Sequence, residues 1–164
     1  MKKLSDQWEL INEARRLVPV DLHHLASNLG VRLRAAFLHP KISGMIERLG
    51  ENEFTITVNH SDAHTRQRFT IAHELGHYML HRHLIGDGLD DDRAYRSTQV
   101  GKYHNTSIGP SEETEANRFA ANLLMPQSLV DAEWQARNDV SDMADYFGVS
   151  AHAMSIRLGV PYDS

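Results

Sequence analysis

The chain has 164 residues, which is enough for one compact domain with a hydrophobic core and too few for two domains of ordinary size. Its 41% hydrophobic and 24% charged residues are typical of a soluble globular protein. The net charge of −5 predicts no general attraction to nucleic acid or anionic membranes. The absence of cysteine excludes disulfides, thiolate metal sites and cysteine nucleophiles.

The first third of the sequence predicts two helices followed by three strands. Apolar residues at helical spacing indicate a first helix that Ser5 caps and that runs through Leu17. Asp21 is expected to cap a second helix, LHHLASNL, which Gly30 ends. Three extended runs follow: VRLRAAFL, ISGMIERL and EFTITVN. In the last run apolar residues alternate with threonines, which predicts a strand with one buried face.

Helices dominate the remainder of the chain, apart from one polar stretch. Ser61 or Asp62 is expected to cap a long helix that runs to about Arg82. Residues 86–110 are polar and without periodicity, which is typical of a functional flap or a flexible loop. An amphipathic helix then runs from Glu112 to Met125.

The last two helical segments, VSDMADYF and SAHAMSIRL, have the outline of a helix-turn-helix. Arg157 is the single permanent cation of the second segment, so direct readout of DNA bases is not expected. The order of elements predicts an α+β fold: one domain over residues 1–164, with its core at about 14–158 and a small mixed or antiparallel sheet.

The segment FTIAHELGHYML contains the pattern HExxH as His73, Glu74 and His77. Residues four apart share a helix face, so both imidazoles can bind one zinc ion while Glu74 reaches the water to be activated. At about 100° per residue, the polar side chains of this helix fall within an arc of roughly 140°. A helix with apolar residues on its other sides and one narrow polar strip favours a metal site over a solvated surface.

A catalytic zinc needs a third protein ligand. His83 has the spacing of the extended motif HExxHxxGxxH, but Leu80 occupies the position of the glycine turn, so His83 is expected to point away. Glu115 falls on or beside the apolar stripe of the later helix, where a metal would offset the cost of burying a carboxylate. Glu112 is the reserve candidate, and Glu113 is expected to point outward.

Two segments in this order, RQRFTIAHELGHYMLH and ETEANRFAANLLMP, resemble the ImmA/IrrE family of metallopeptidase domains. The resemblance extends over about residues 14–158, and the stretch 86–110 looks longer than is usual in this family. It implies a zincin-like domain in which His73, His77 and Glu115 bind zinc and Glu74 is the general base.

The resemblance also implies a biological role. Family members are typically encoded in prophages or mobile elements, or beside a helix-turn-helix regulator that they cleave or otherwise relieve. The expected activity is therefore that of an endopeptidase acting on a transcriptional repressor encoded nearby, as in a toxin–antitoxin-like pair. Four residues could stabilise the oxyanion of such a reaction, and the sequence does not choose among Tyr78, His81, Tyr103 and His104.

The alternative is a regulatory module that binds metal for structure and acts by docking to a repressor or to DNA. Glu74 favours the enzyme, since a purely structural site needs no base beside the metal. The first residues, MKKLSDQWEL, lack the apolar run of a signal peptide, and no stretch is long enough to span a bilayer. We therefore expect a cytoplasmic protein without membrane contact.

Overall fold

The computed structural model describes residues 2–85, 94–95 and 108–161. The helices are α1 (Leu4–Ala14), α2 (Leu22–Leu29), α3 (His64–Leu80), α4 (Pro110–Leu124), α5 (Gln127–Arg137), α6 (Val140–Phe147) and α7 (Ala151–Leu158). The strands are β1 (Val31–Ala36), β2 (Gly44–Gly50), β3 (Glu53–Asn59) and β4 (Ala94–Tyr95), and a 3-10 turn, Arg82–Leu84, follows α3.

The four strands form one mixed sheet in the order β1-β3-β2-β4. Strand β1 runs parallel to β3, whereas β2 is antiparallel to both β3 and β4. The predicted α+β fold with a small mixed sheet is therefore confirmed. Of the predicted loop at 86–110, Ala94–Tyr95 form β4 and Pro110 begins α4, while residues 86–93 and 96–107 lie outside the described residues.

Strand β3 is buried on both faces. Its apolar face packs against α3, where the rings of Phe54 and Tyr78 meet edge to face at 5.1 Å. Thr55 and Thr57, on the opposite face, are buried as well, so the prediction of one buried face is wrong. The alternation located the two faces correctly, but threonine is β-branched and suits a covered strand as well as an exposed one.

The sequence predicted the caps of α2 correctly but not those of α1 and α3. Helix α1 begins after Lys3, whose side chain makes no cap hydrogen bond, and ends at Ala14, so the prediction of a Ser5 cap and an end at Leu17 is wrong. The Asp21 carboxylate accepts the His24 N–H at 3.0 Å at the start of α2, and Gly30 ends that helix with a φ of 78°. Helix α3, in contrast, begins after Ala63, which has no polar side chain. The prediction that Ser61 or Asp62 caps it is therefore wrong.

Helices α3 and α4 cross closely at Gly76. A Cβ atom on Gly76 would lie 3.2 Å from both Cα and O of Ala116 and 3.1 Å from the ring of Phe119. The two backbones can approach this far because one residue has no side chain and the other has a methyl group. The crossing brings the first turns of α4 beside the middle of α3.

Helix α7 is attached to the end of α4 through Arg157. Its guanidinium donates to the carbonyl of Met125, at 3.0 and 2.7 Å, and to Oδ1 of Asn122 at 3.0 Å. Helices α6 and α7, joined at Gly148 with a φ of 71°, have the helix-turn-helix outline predicted from the sequence. The cation considered for DNA contact is thus engaged within the protein.

The described residues contain one extended hydrophobic cluster, which runs from Ile11 in α1 to Met154 in α7 and includes Leu75 and Leu123 from the crossing helices. Among residues 2–85, 94–95 and 108–161, no helix has the length and apolar character needed to cross a membrane.

Candidate metal centre

His73, Glu74 and His77 lie in the C-terminal half of α3, and all three side chains are buried. Each offers a ligand atom, and these atoms lie within 4.8 Å of one another. Oε1 of Glu74 is 3.9 Å from Nε2 of His73 and 4.0 Å from Nε2 of His77. The two imidazoles and the carboxylate thus converge on one small region.

Glu113 is the carboxylate that α4 brings to the two histidines. Its Oε1 lies 2.7 Å from Nε2 of His77, and its Oε2 lies 3.5 Å from Nε2 of His73. The expectation that Glu113 points outward is therefore wrong. Three nitrogen and oxygen donors from two helices face each other at this point.

The surroundings of Glu113 favour its charged form. Partial burial raises the pKa of its carboxyl, but hydrogen bonds and charges from His73 and His77 outweigh burial and lower the pKa to about 2 from an ordinary 4.5. An ionised carboxylate beside two imidazoles is a donor set suited to a divalent cation.

The two glutamates favoured by the sequence have other partners. Oε1 of Glu115 lies 3.0 Å from Nε2 of His81, and the Glu115 side chain is 54% exposed. Oε1 of Glu112 accepts the backbone N–H of Gly109 at 3.0 Å and so caps α4. The geometry corrects the predicted third ligand: Glu113 stands beside both histidines, in the place that the sequence analysis gave to Glu115.

A helical wheel would have identified Glu113. At 100° per residue, the apolar stripe of α4 centres between Ala116 and Ala120, which puts Glu113 about 50° and Glu115 about 110° from that centre. Glu113 falls within the stripe, between Ala120 and Leu124, whereas Glu115 lies outside it, beyond Phe119. The charge of Glu113 suggested an exposed side chain, although the residue lies on the side of α4 that faces α3.

Hydrogen bonds at Nδ1, the ring nitrogen that does not face Glu113, orient the imidazoles of His73 and His77. Nδ1 of His73 lies 2.8 Å from Oδ1 of Asn117, and Nδ1 of His77 lies 2.9 Å from Nδ1 of His81. Asn117 can only accept through Oδ1, so His73 carries a proton on Nδ1, and Nε2 is the atom that could bind a metal. Metal-binding histidines are commonly held in this way.

Of the other residues singled out from the sequence, Tyr78 is buried in the core. Its hydroxyl accepts from Nε2 of Gln7 at 3.2 Å and donates to the carbonyl of Leu29 at 3.3 Å, which leaves it facing away from the site. His83 is exposed on the 3-10 turn, as expected for a residue that is not a ligand. Tyr103 and His104 lie outside the described residues.

A groove of about 670 Å³ begins at Asn117 and runs between α3, α4 and α7. Phe69, Ala121, Met125 and Ile156 contribute apolar surface to it. Its volume is in the range of protein sites that bind small molecules or short peptide segments. Because Asn117 also contacts His73, the groove reaches the edge of the metal centre.

Comparison with known proteins agrees with this combination of fold and site. The family model Peptidase_M78, the IrrE N-terminal-like domain, matches residues 26–159. The chain belongs to this family of peptidase domains, which confirms the resemblance to ImmA/IrrE proteins predicted from the sequence.

Two relatives illustrate the range of the similarity. An uncharacterised immunity region protein 2 of Bacillus phage phi105 is 27% identical over 135 residues, which are 82% of this chain and 77% of the phage protein. A Mycobacterium tuberculosis transcriptional regulator has a similar fold, with a TM-score of 0.60 and 20% identity. That match covers 96% of this chain and 46% of the regulator, so the chain spans about half the length of that protein.

Proposed function

We propose that the protein is a zinc-dependent endopeptidase that cleaves a protein substrate, a helix-turn-helix transcriptional repressor encoded nearby. The observation that carries this proposal is the convergence of His73, His77 and Glu113, with the buried Glu74 beside them. Two imidazoles and one carboxylate are a usual protein ligand set for a catalytic zinc, which keeps a further position open.

The fit of zinc to this site rests on the donor atoms. Nε2 of His77 and the carboxylate of Glu113 lie 2.7 Å apart, and Nε2 of His73 faces the same carboxylate. When bound, zinc supplies a Lewis acid that polarises the scissile carbonyl and lowers the pKa of water. We propose His73, His77 and Glu113 as its ligands.

Glu74 is the proposed general base. It follows His73 directly on α3, so its carboxylate lies beside the two imidazoles without sharing their face. At 3.9 to 4.0 Å from both Nε2 atoms, it is placed to take a proton from the attacking water and later pass it to the leaving amine. A metal site that served structure alone would gain nothing from this carboxylate.

The groove beside the site supports a polypeptide as the substrate. Its apolar surface between α3, α4 and α7 fits a segment of substrate chain whose scissile bond lies near His73. The phage relative belongs by its name to an immunity region, and the structural neighbour is named a transcriptional regulator. Both names support a substrate involved in gene regulation, encoded in a prophage, mobile element or toxin–antitoxin-like pair.

The other predicted properties are consistent with this role and remain predictions. We propose a cytoplasmic location, where a repressor would be encountered, and a chain without cysteine is compatible with it. Direct binding to DNA is not proposed, because Arg157 is engaged with Met125 and Asn122.

The test is a cleavage assay with the zinc-loaded protein and the helix-turn-helix protein encoded by the neighbouring reading frame. We expect a defined cut, detected by mass spectrometry, that chelation abolishes. Glu74→Gln is the matched control, because it is nearly isosteric and cannot take the proton; it should retain zinc and lose about 10²–10⁴-fold in activity. A repressor that is bound but left intact, equally by wild type and Glu74→Gln, would replace proteolysis with docking.

A further inference from the structure

A chain of hydrogen bonds leads from His77 to the protein surface. Nδ1 of His77 lies 2.9 Å from Nδ1 of His81, and Nε2 of His81 lies 3.0 Å from Oε1 of Glu115. His77 and His81 are both buried, whereas the Glu115 side chain is 54% exposed. The chain therefore connects a ligand of the proposed metal to a solvent-exposed carboxylate on another helix.

The direction of donation along these hydrogen bonds follows from their outer end, at Glu115. An ionised carboxylate can only accept, so the contact between His81 and Glu115 requires a proton on Nε2 of His81. A neutral His81 then presents a lone pair on Nδ1. The contact between the two Nδ1 atoms needs one proton, which must come from His77. When a metal takes the lone pair of Nε2, this proton on Nδ1 is the one that His77 keeps; in the metal-free protein the ionised Glu113 also accepts a proton from Nε2, at 2.7 Å.

We propose, as an extension of the metal site in the proposed function, that Glu115 and His81 are positioning residues. They hold His77 in the tautomer and ring orientation in which Nε2 can bind the metal. Without an acceptor at position 115, His81 can carry its proton on Nδ1 and donate it to His77. His77 then accepts at Nδ1 and keeps its single proton on Nε2, where Glu113 accepts it and a metal must displace it.

His73 is oriented by a hydrogen bond in the same way, which supports the proposal. His73 donates from Nδ1 to Oδ1 of Asn117, which also belongs to α4. Helix α4 thus supplies the Glu113 carboxylate and both acceptors that orient the imidazoles, Asn117 directly and Glu115 through His81. Outer partners of this kind commonly change metal affinity by 10–100-fold when removed.

The test compares Glu115→Gln with Glu112→Gln. Both remove one carboxylate from the same helix, and the amide of Glu112→Gln can still accept from Gly109. The amide of Glu115→Gln can donate as well as accept, so it no longer dictates the tautomer of His81. Zinc affinity, measured by competition with a chromophoric chelator, should fall about 10-fold in Glu115→Gln and less than about 2-fold in Glu112→Gln.

A second readout separates orientation from stability. In ¹⁵N-histidine NMR spectra, His81 of metal-free and zinc-loaded wild type should carry its proton on Nε2, and His77 of the zinc-loaded protein should carry its proton on Nδ1. In metal-free Glu115→Gln, His81 should show a mixture of tautomers. The melting temperature without zinc should stay within about a degree of wild type, because Glu115 is largely exposed.

The possible outcomes distinguish this inference from the proposed function. If wild type binds no zinc, both are overturned. If wild type binds zinc and Glu115→Gln binds it as tightly as Glu112→Gln does, only the role of Glu115 is overturned. A wild-type His81 protonated on Nδ1 alone would also overturn it, whatever the zinc affinity.

Discussion

Oε1 of Glu113 lies 2.7 Å from Nε2 of His77, although the two residues are 36 positions apart in the sequence. His77 stands in the last turn of α3 and Glu113 in the first turn of α4. The contact defines the proposed metal centre, because it adds a carboxylate to the two imidazoles of the HExxH pattern.

The first prediction concerns zinc content. Wild type should bind about one zinc per chain, and Glu113→Gln, His73→Ala and His77→Ala should each lose most of it, since two protein ligands hold a catalytic zinc poorly. Glu112→Gln is the matched control, because Glu112 caps α4 through Gly109. The zinc content is measured by metal analysis after dialysis. A full equivalent of zinc in Glu113→Gln would show that another acidic residue is the third ligand.

The second prediction concerns pH and the metal-free protein. The pKa of Glu113 is lowered to about 2 from an ordinary 4.5, so its carboxylate stabilises the folded state fully above pH 4.5. This contribution, on the order of 3 kcal/mol, is lost as the pH falls from 4.5 towards 2.

Urea unfolding of wild type and Glu113→Gln across this pH window measures it. The difference in the free energy of unfolding should be constant above pH 4.5 and shrink below it. The same comparison in a His77→Ala background should show a smaller difference, because one of the two groups that lower the pKa is gone. A difference that does not change with pH would contradict the assigned cause.

The third prediction concerns the crossing of α3 and α4. Alanine is favoured over glycine in a helix by about 1 kcal/mol, but a Cβ at position 76 would lie 3.2 Å from the backbone of Ala116. Backbone atoms cannot yield as a flexible side chain can, so overpacking of about 1–3 kcal/mol should dominate. Gly76→Ala should therefore lower both the free energy of unfolding and the affinity for zinc.

Gly109→Ala is the control for this substitution. A Cβ at position 109 would meet only Oε1 of Glu112, at an ordinary contact distance of 3.4 Å. Gly109 is the N-cap of α4, where alanine is less favourable than glycine, so the unfolding free energy should fall by up to about 1 kcal/mol, while the zinc affinity should not change. Equal effects of the two glycine substitutions would show that the close approach at Gly76 is not what positions α4.

The fourth prediction concerns Asn117. Asn117→Leu removes the acceptor for Nδ1 of His73, which should weaken zinc binding by about 10-fold or more. Asn117→Asp keeps an acceptor and should bind zinc more tightly than Asn117→Leu does. Asn122→Leu, on the same helix but bonded to Arg157, is the control and should leave zinc affinity unchanged. Isothermal titration of the metal-free proteins gives all three values.

The sequence predicted the parts of this site that one helix determines. His73, Glu74 and His77 converge because helical geometry alone puts residues four apart on one face. The third acid depends on how two helices pack, and that packing is set at Gly76 and Ala116, where small residues let the backbones approach. The wheel of α4 already puts Glu113 within the apolar stripe, but its charge was taken as a sign of exposure and the position was given to Glu115.

The fold, too, was predictable where it depends on local sequence patterns and was not where it depends on packing. The sheet and the helix order follow from local patterns, and so do Asp21 and Gly30 at the ends of α2. The burial of Thr55 and Thr57 does not, because the alternation of a strand says which residues share a face but not what covers that face.

The contact at Gly76 and Ala116 also determines how this protein can change during evolution. The distance from the histidines to Glu113 is fixed where the two helices touch, at Gly76 and Ala116. Insertions, deletions and substitutions between residues 86 and 107 can therefore accumulate while the ligands keep their spacing. Homologues should accordingly vary most in length in this segment, and a single enlarged residue at the crossing should be harder to tolerate than the loss or gain of several residues there.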